Sequence, residues 1–98
     1  MTPVSDMSDG KPLICLDAGH GGDDPGSQGP EGDEKDYTLS QTLVAESFFV
    51  GAGYETVLTR RDDEYVGLME RARIANEAGA LAFLSYHWNF APGTPVAS

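Results

Sequence analysis

The sequence predicts one α/β domain, three-layered, with a mostly parallel sheet and the element order β-α-β-α-β. Three observations predict it. The runs Pro12–Leu16 and Ala80–Tyr86 are apolar at successive positions, as strands covered on both faces are. Two intervening segments repeat apolar residues at helical spacing and stop at glycine. Strands and helices alternate along the chain, so the connections require parallel pairing and right-handed crossovers.

Residues 1–11 are polar and carry Pro, Gly and Ser, which predicts a disordered tail; the domain then occupies 12–90. Pro12–Leu16 is the first strand, and Cys15 inside it reads as a small core hydrophobe. Asp17–Gly32 is a long loop with six glycines. Asp33 is placed to cap the following helix with its side chain, and Glu34 and Asp36 suit the positive end of the helix dipole. That helix is expected over Glu34–Val50, with Leu39, Leu43, Val44 and Phe48 facing the core and Gly51 and Gly53 ending it. Tyr54–Thr59 reads as the second strand and Arg60–Tyr65 as a charged turn. A second helix over Val66–Ala78 lines up Leu68, Ala72 and Ala75, and Gly79 closes it. Ala80–Tyr86 is the third strand. Residues 91–98, with Pro92, Gly93 and Pro95, read as a loop or tail cut before its next element. Two helices hardly cover a sheet on both sides, so the domain is expected to be incomplete at its C-terminal side, or to have a partner or missing segment covering the sheet.

Composition narrows the function. Six basic and 16 acidic residues give a net charge of −10, which opposes binding to nucleic-acid phosphates or an anionic membrane surface. No run approaches the roughly 18 apolar residues of a membrane span. The N-terminus has neither the basic start nor the apolar core of a signal peptide. A soluble polypeptide is expected, with any export using another route or an unseen leader. The single cysteine cannot form an internal disulfide.

His20 and His87 are the only histidines, and each stands where an apolar strand breaks into a polar turn. In a parallel sheet all C-terminal strand ends lie on one edge, where ligand crevices form. The helix after the first strand starts near that edge, so Glu34 in its first turn can join them. Two imidazoles and a carboxylate with an open fourth position are the donor set of a catalytic zinc, which lowers the pKa of bound water to about 7. Spacing alone does not single out Glu34. Asp23, Asp24, Glu31 and Asp33 compete in the same loop, most of them expected to be solvated turn residues.

These residues also carry a family resemblance. Ile14-Cys-Leu-Asp-Ala-Gly-His20-Gly-Gly-Asp-Asp-Pro-Gly26, Glu34-Lys35-Asp36, Leu58-Thr-Arg60 with Asp63, Leu68, Arg71 and Ile74-Ala-Asn76, and Ser85-Tyr-His87-Trp-Asn89 are collinear over about Ile14 to Asn89. Together they resemble the zinc-dependent N-acetylmuramoyl-L-alanine amidases of the amidase-3 type, which are cell-wall hydrolases. The resemblance implies zinc held by His20, Glu34 and His87. It implies cleavage of the amide between N-acetylmuramic acid and L-alanine in peptidoglycan, at the bacterial cell wall, by an autolysin or a phage endolysin. It also implies a general-base glutamate beyond Ser98; Glu64, Glu70 and Glu77 belong to the turn and second helix and do not replace it.

Asn89, Trp88 and Asp17 are candidates to touch substrate or support the ligands. Trp88 stands where the family usually has a small residue, and an exposed indole there could stack on a sugar. Gly19, Gly21, Gly22 and Gly26 allow a tight loop around the metal, while Arg60, Asp63 and Arg71 read as ion pairs fixing the turn. One rival is a non-catalytic fragment that binds zinc or peptidoglycan without turnover. A nucleotide-binding reading of Gly19–Gly29 fails, because the loop lacks Gly-Lys-Ser/Thr and carries Asp23, Asp24 and Glu31, which repel phosphate.

Overall fold

The computed structural model describes residues 10–88. The expected segment 91–98, most of the expected tail 1–11, and Asn89 lie outside the described residues.

The chain forms β1 (Leu13–Ala18), a short antiparallel pair β2 (Gln28–Gly29) and β3 (Gly32–Asp33), α1 (Glu34–Gly51), β4 (Glu55–Leu58), α2 (Leu68–Ala78) and β5 (Ala82–Tyr86). The main sheet has the order β4-β1-β5, with both pairings parallel. The chain thus leaves β1 toward one edge and crosses back to the other. Right-handed crossovers in opposite directions put the two helices on opposite faces. Burial agrees: five successive residues of β1, Ile14 to Ala18, are buried, and since strand residues alternate faces both must be covered. α1 packs across β1, β4 and β5, and α2 packs on β1. Cys15 and Leu16 are fully buried at the centre.

Several expectations are corrected. β5 alternates between half-buried and exposed residues, with Phe83 44% exposed, so it is not covered on both faces. The inner face of α1 is not the leucine stripe. Glu34, Thr38 and Thr42 are buried, whereas Leu43, Val44 and Phe48 are exposed. Side chains four apart stack on one helix face, so the face that delivers Glu34 to the sheet edge also delivers the two threonines. Their hydroxyls make that close approach polar but satisfied: Thr38 Oγ1 donates to the Gly19 carbonyl (2.7 Å) and Thr42 Oγ1 to the Thr38 carbonyl (2.6 Å). In α2 the inward residues are Arg71 and Ala75, while Leu68 is 86% exposed.

Asp33 occupies the N-cap position of α1 without a side-chain cap bond. The orphan N–H groups of Glu34 and Lys35 donate instead to the Ser27 and Pro25 carbonyls, at 2.8 and 3.0 Å. Asp33 is thereby released to accept from Gln28 Nε2 across the β2-β3 pair (3.1 Å). Gly79 ends α2 in the left-handed conformation, as expected.

Candidate metal centre

β1 and β5 end side by side, with Ala18 paired to Tyr86, so the segments leaving them emerge together. His20 lies two residues beyond β1, His87 directly follows β5, and Glu34 is the first residue of α1. His20 Nε2 is 3.2 Å and His87 Nδ1 3.4 Å from Glu34 Oε2. One ligand atom from each of the three side chains lies within 4.8 Å of the others. Ligands about 2.0–2.2 Å from a tetrahedral ion stand roughly 3.3–3.6 Å apart, so these two separations suit one zinc-sized cation. The donor set is two imidazoles and one carboxylate, and the His87 side chain is 56% exposed, which leaves the open side toward solvent.

Glu34 is held from behind. Its Oε1 accepts the Ser27 N–H (2.9 Å) and its Oε2 the Trp88 N–H (2.8 Å). Burial pushes its pKa up, but these two N–H groups and the neighbouring His20 and His87 outweigh that and hold the carboxyl below its usual range. Trp88 thus serves through its backbone, while its ring lies 5.1 Å from that of Tyr37.

His20 is fixed at both ends. Its Nδ1 lies 2.9 Å from Asp24 Oδ2; a carboxylate there favours the Nδ1–H tautomer and leaves Nε2 bare to bind a cation. The hydrogen bond from His20 lowers the Asp24 pKa. Asp24, one of the loop acids that compete with Glu34 in the sequence, thus serves as the partner of His20. The His20 backbone is left-handed, φ 67°, which costs a non-glycine residue roughly 1–2 kcal/mol. Its carbonyl accepts from Arg71 Nη2 at 2.8 Å.

Asp17 is not among the three converging side chains. Buried beneath them, it accepts from Thr59 Oγ1 (2.7 Å), Arg71 Nη1 (2.6 Å) and Ser85 Oγ (2.6 Å). Burial alone would raise its pKa; the hydrogen bonds from Ser85, Arg71 and Thr59 and the Arg71 charge hold it low. Arg60, placed in a charged turn by its sequence, is 2% exposed and donates to the carbonyls of Ala18, Gly19, Lys35 and Asp62. Asp63 does pair with Lys35 (3.0 Å) and accepts the Gly22 N–H (2.8 Å). These ions hold the glycine loop itself rather than only the turn before α2.

Two of the loop glycines are required by close approach to the trio itself. A Cβ on Gly19 would lie 2.5 Å from His87 Cε1, and one on Gly26 would lie 2.6 Å from His20 Cδ2 and 2.7 Å from Glu34 Oε1. Beside the trio a hollow of about 630 Å³ runs from His20 and His87 over Val66, Leu68, Ala75 and Phe83. Sequence reasoning named Asp24 only as a competing acid and missed its role on His20; of the arginines it read as ion pairs, Arg71 does pair with Asp17, whereas Arg60 binds backbone carbonyls. A ligand histidine nearly always has a second partner on its other nitrogen, and an acid four residues on was the available signal, but three other acids shared the loop.

The family model described as N-acetylmuramoyl-L-alanine amidase, Amidase_3, matches residues 14–97. The sporulation-specific N-acetylmuramoyl-L-alanine amidase of Bacillus subtilis is 41% identical over 83 residues, covering 83% of this chain and 32% of that protein. An endolysin of Bacillus phage SPP1 is 42% identical, covering 83% and 30%. The solved structure of the amidase AmiC2 of Nostoc punctiforme superposes with a TM-score of 0.81 at 38% identity, over 90% of this chain and 49% of that one. The chain therefore spans about a third of the length of these two relatives and about half of the solved chain.

Proposed function

Because this chain belongs to the N-acetylmuramoyl-L-alanine amidase family, we propose that it carries the metal centre of a zinc-dependent hydrolase of peptidoglycan. The bond cut is the amide between N-acetylmuramic acid and L-alanine, and the site of action is the bacterial cell wall. The observation that carries this reading is the convergence of His20, Glu34 and His87 within ligand distance of one another.

In this reading His20 binds through Nε2, with Asp24 keeping the proton on Nδ1; His87 binds through Nδ1 and Glu34 through Oε2. Zinc bound there supplies Lewis acidity toward the amide carbonyl and acidifies water. The N–H groups of Ser27 and Trp88 keep Glu34 ionised and oriented, so its charge offsets part of the cation's before substrate arrives. The hollow reaching His20 and His87 gives a muramyl peptide its approach. Among the described residues Glu70 and Glu77 are engaged with Arg73 on α2, so neither is assigned as the general base.

The test is release of new L-alanine amino termini from purified peptidoglycan, with zinc and with chelator. Zinc-dependent release supports the reading. Stoichiometric zinc binding without release supports the alternative, a zinc- or peptidoglycan-binding fragment lacking its base. Release that persists in chelator contradicts the metal mechanism.

A further inference from the structure

Among the described residues His20 is the one non-glycine residue with a positive φ, and it is also the residue that must aim Nε2 at Glu34. A strained backbone persists only where its surroundings over-determine it. The surroundings include two buried guanidinium groups, that of Arg60 on the Ala18 and Gly19 carbonyls and that of Arg71, and only Arg71 reaches the carbonyl of His20 itself. Arg71 donates from Nε to the Val66 carbonyl (2.8 Å), from Nη1 to Asp17 Oδ1 and the Ala18 carbonyl (both 2.6 Å), and from Nη2 to the His20 carbonyl (2.8 Å). The planar fork thus ties α2 to the end of β1 and to the strained residue two positions on. Asp17, itself fixed by Thr59 and Ser85, sets where that fork sits.

We propose that Arg71 is a positioning residue: its guanidinium holds the His20 carbonyl so that residue 20 stays left-handed and the metal site is formed before the metal arrives. A lysine keeps the charge opposite Asp17 but has no second fork arm to reach the His20 carbonyl. A salt bridge serving only stability would not control the conformation of residue 20.

The experiment compares H20G with H20A in the full chain, in chelator, by urea denaturation. With Arg71 present, H20G is expected to unfold at the higher urea concentration, because glycine accepts the left-handed backbone that alanine resists. In the R71K background the order is expected to reverse, because residue 20 relaxes to negative φ and glycine then only loosens the unfolded chain. The same order in both backgrounds overturns the proposal. If R71K does not fold, D17N/R71Q carries the comparison without leaving a charge buried alone. A second readout rests on the metal reading above: R71K with native His20 is expected to bind zinc at least about tenfold more weakly in competition with a chromophoric chelator, and an affinity within about twofold of wild type contradicts the proposal. Should the wild-type chain bind no zinc, the metal reading fails, but the glycine–alanine comparison still decides the role of Arg71.

Discussion

The residues around the trio divide by whether they can touch a cation or only aim the groups that do. Asp24 reaches His20 Nδ1 at 2.9 Å and no other ligand, so its work is to set a tautomer. Asp24→Ala is expected to weaken zinc binding by about 10- to 100-fold with the fold intact, measured by chelator competition alongside circular dichroism. Asp17 acts one step further away. Its pKa is lowered in the folded state, so it contributes stability that is full above about pH 4, its unfolded value, and is lost as pH falls through the lower folded one. Urea titrations of the chelated protein are expected to show stability declining below about pH 4 and Asp17→Asn showing a shallower decline. An equally steep decline in the variant would assign the acid sensitivity to other carboxylates.

At the scale of elements, α1 shows what sequence patterning reached and what it did not. Its span, Glu34–Val50 against the observed Glu34–Gly51, was legible because glycine and the acidic first turn punctuate it. Its inner face was not. Placing Glu34 at the site already fixes that face: steps of four from it reach Thr38 and Thr42, while Leu43 lies roughly 180° round the helix. Hydrophobicity pointed the other way because threonines with satisfied hydroxyls can be buried as closely as apolar residues. Thr42→Leu is expected to destabilise by about 1–3 kcal/mol through overpacking, whereas Val44→Lys is expected to change stability by less than about 0.5 kcal/mol. Thermal unfolding of the two variants checks the assignment, and the opposite ranking would restore the leucine-side core. That His20, His87 and the start of α1 meet at one edge was legible for a different reason: strand ends and a helix start are topological positions that a parallel sheet brings together, although topology alone did not separate Glu34 from the other acids of the loop.

For the whole molecule, the three-layer order and the site edge followed from the alternation of elements, but the covering of the sheet did not. β1 is sealed on both faces, while β5 leaves Phe83 44% exposed, and on α2 Leu68 and Met69 are 86% and 88% exposed. The sequence expectation of a partner or further segment over the sheet fits this uneven cover, and the solved relative is about twice as long as the part matched here. Exposed apolar surface of this kind binds hydrophobic dyes and promotes association. The chain is expected to enhance dye fluorescence in its native state, and the pair Leu68→Glu and Met69→Glu to reduce that signal; no reduction would place the dye elsewhere. No helix among the described residues is long and apolar enough to cross a membrane, and the net charge of −10 is of the sign that a bound cation relieves.

The central claim is that three residues distant in sequence share one metal ion. Elemental analysis of the purified full chain, beside H20A, E34Q and H87A, tests it most directly. One zinc per wild-type chain and well under one in each variant, all four remaining folded by circular dichroism, is the result expected. Full zinc occupancy in a folded H20A or H87A would contradict it.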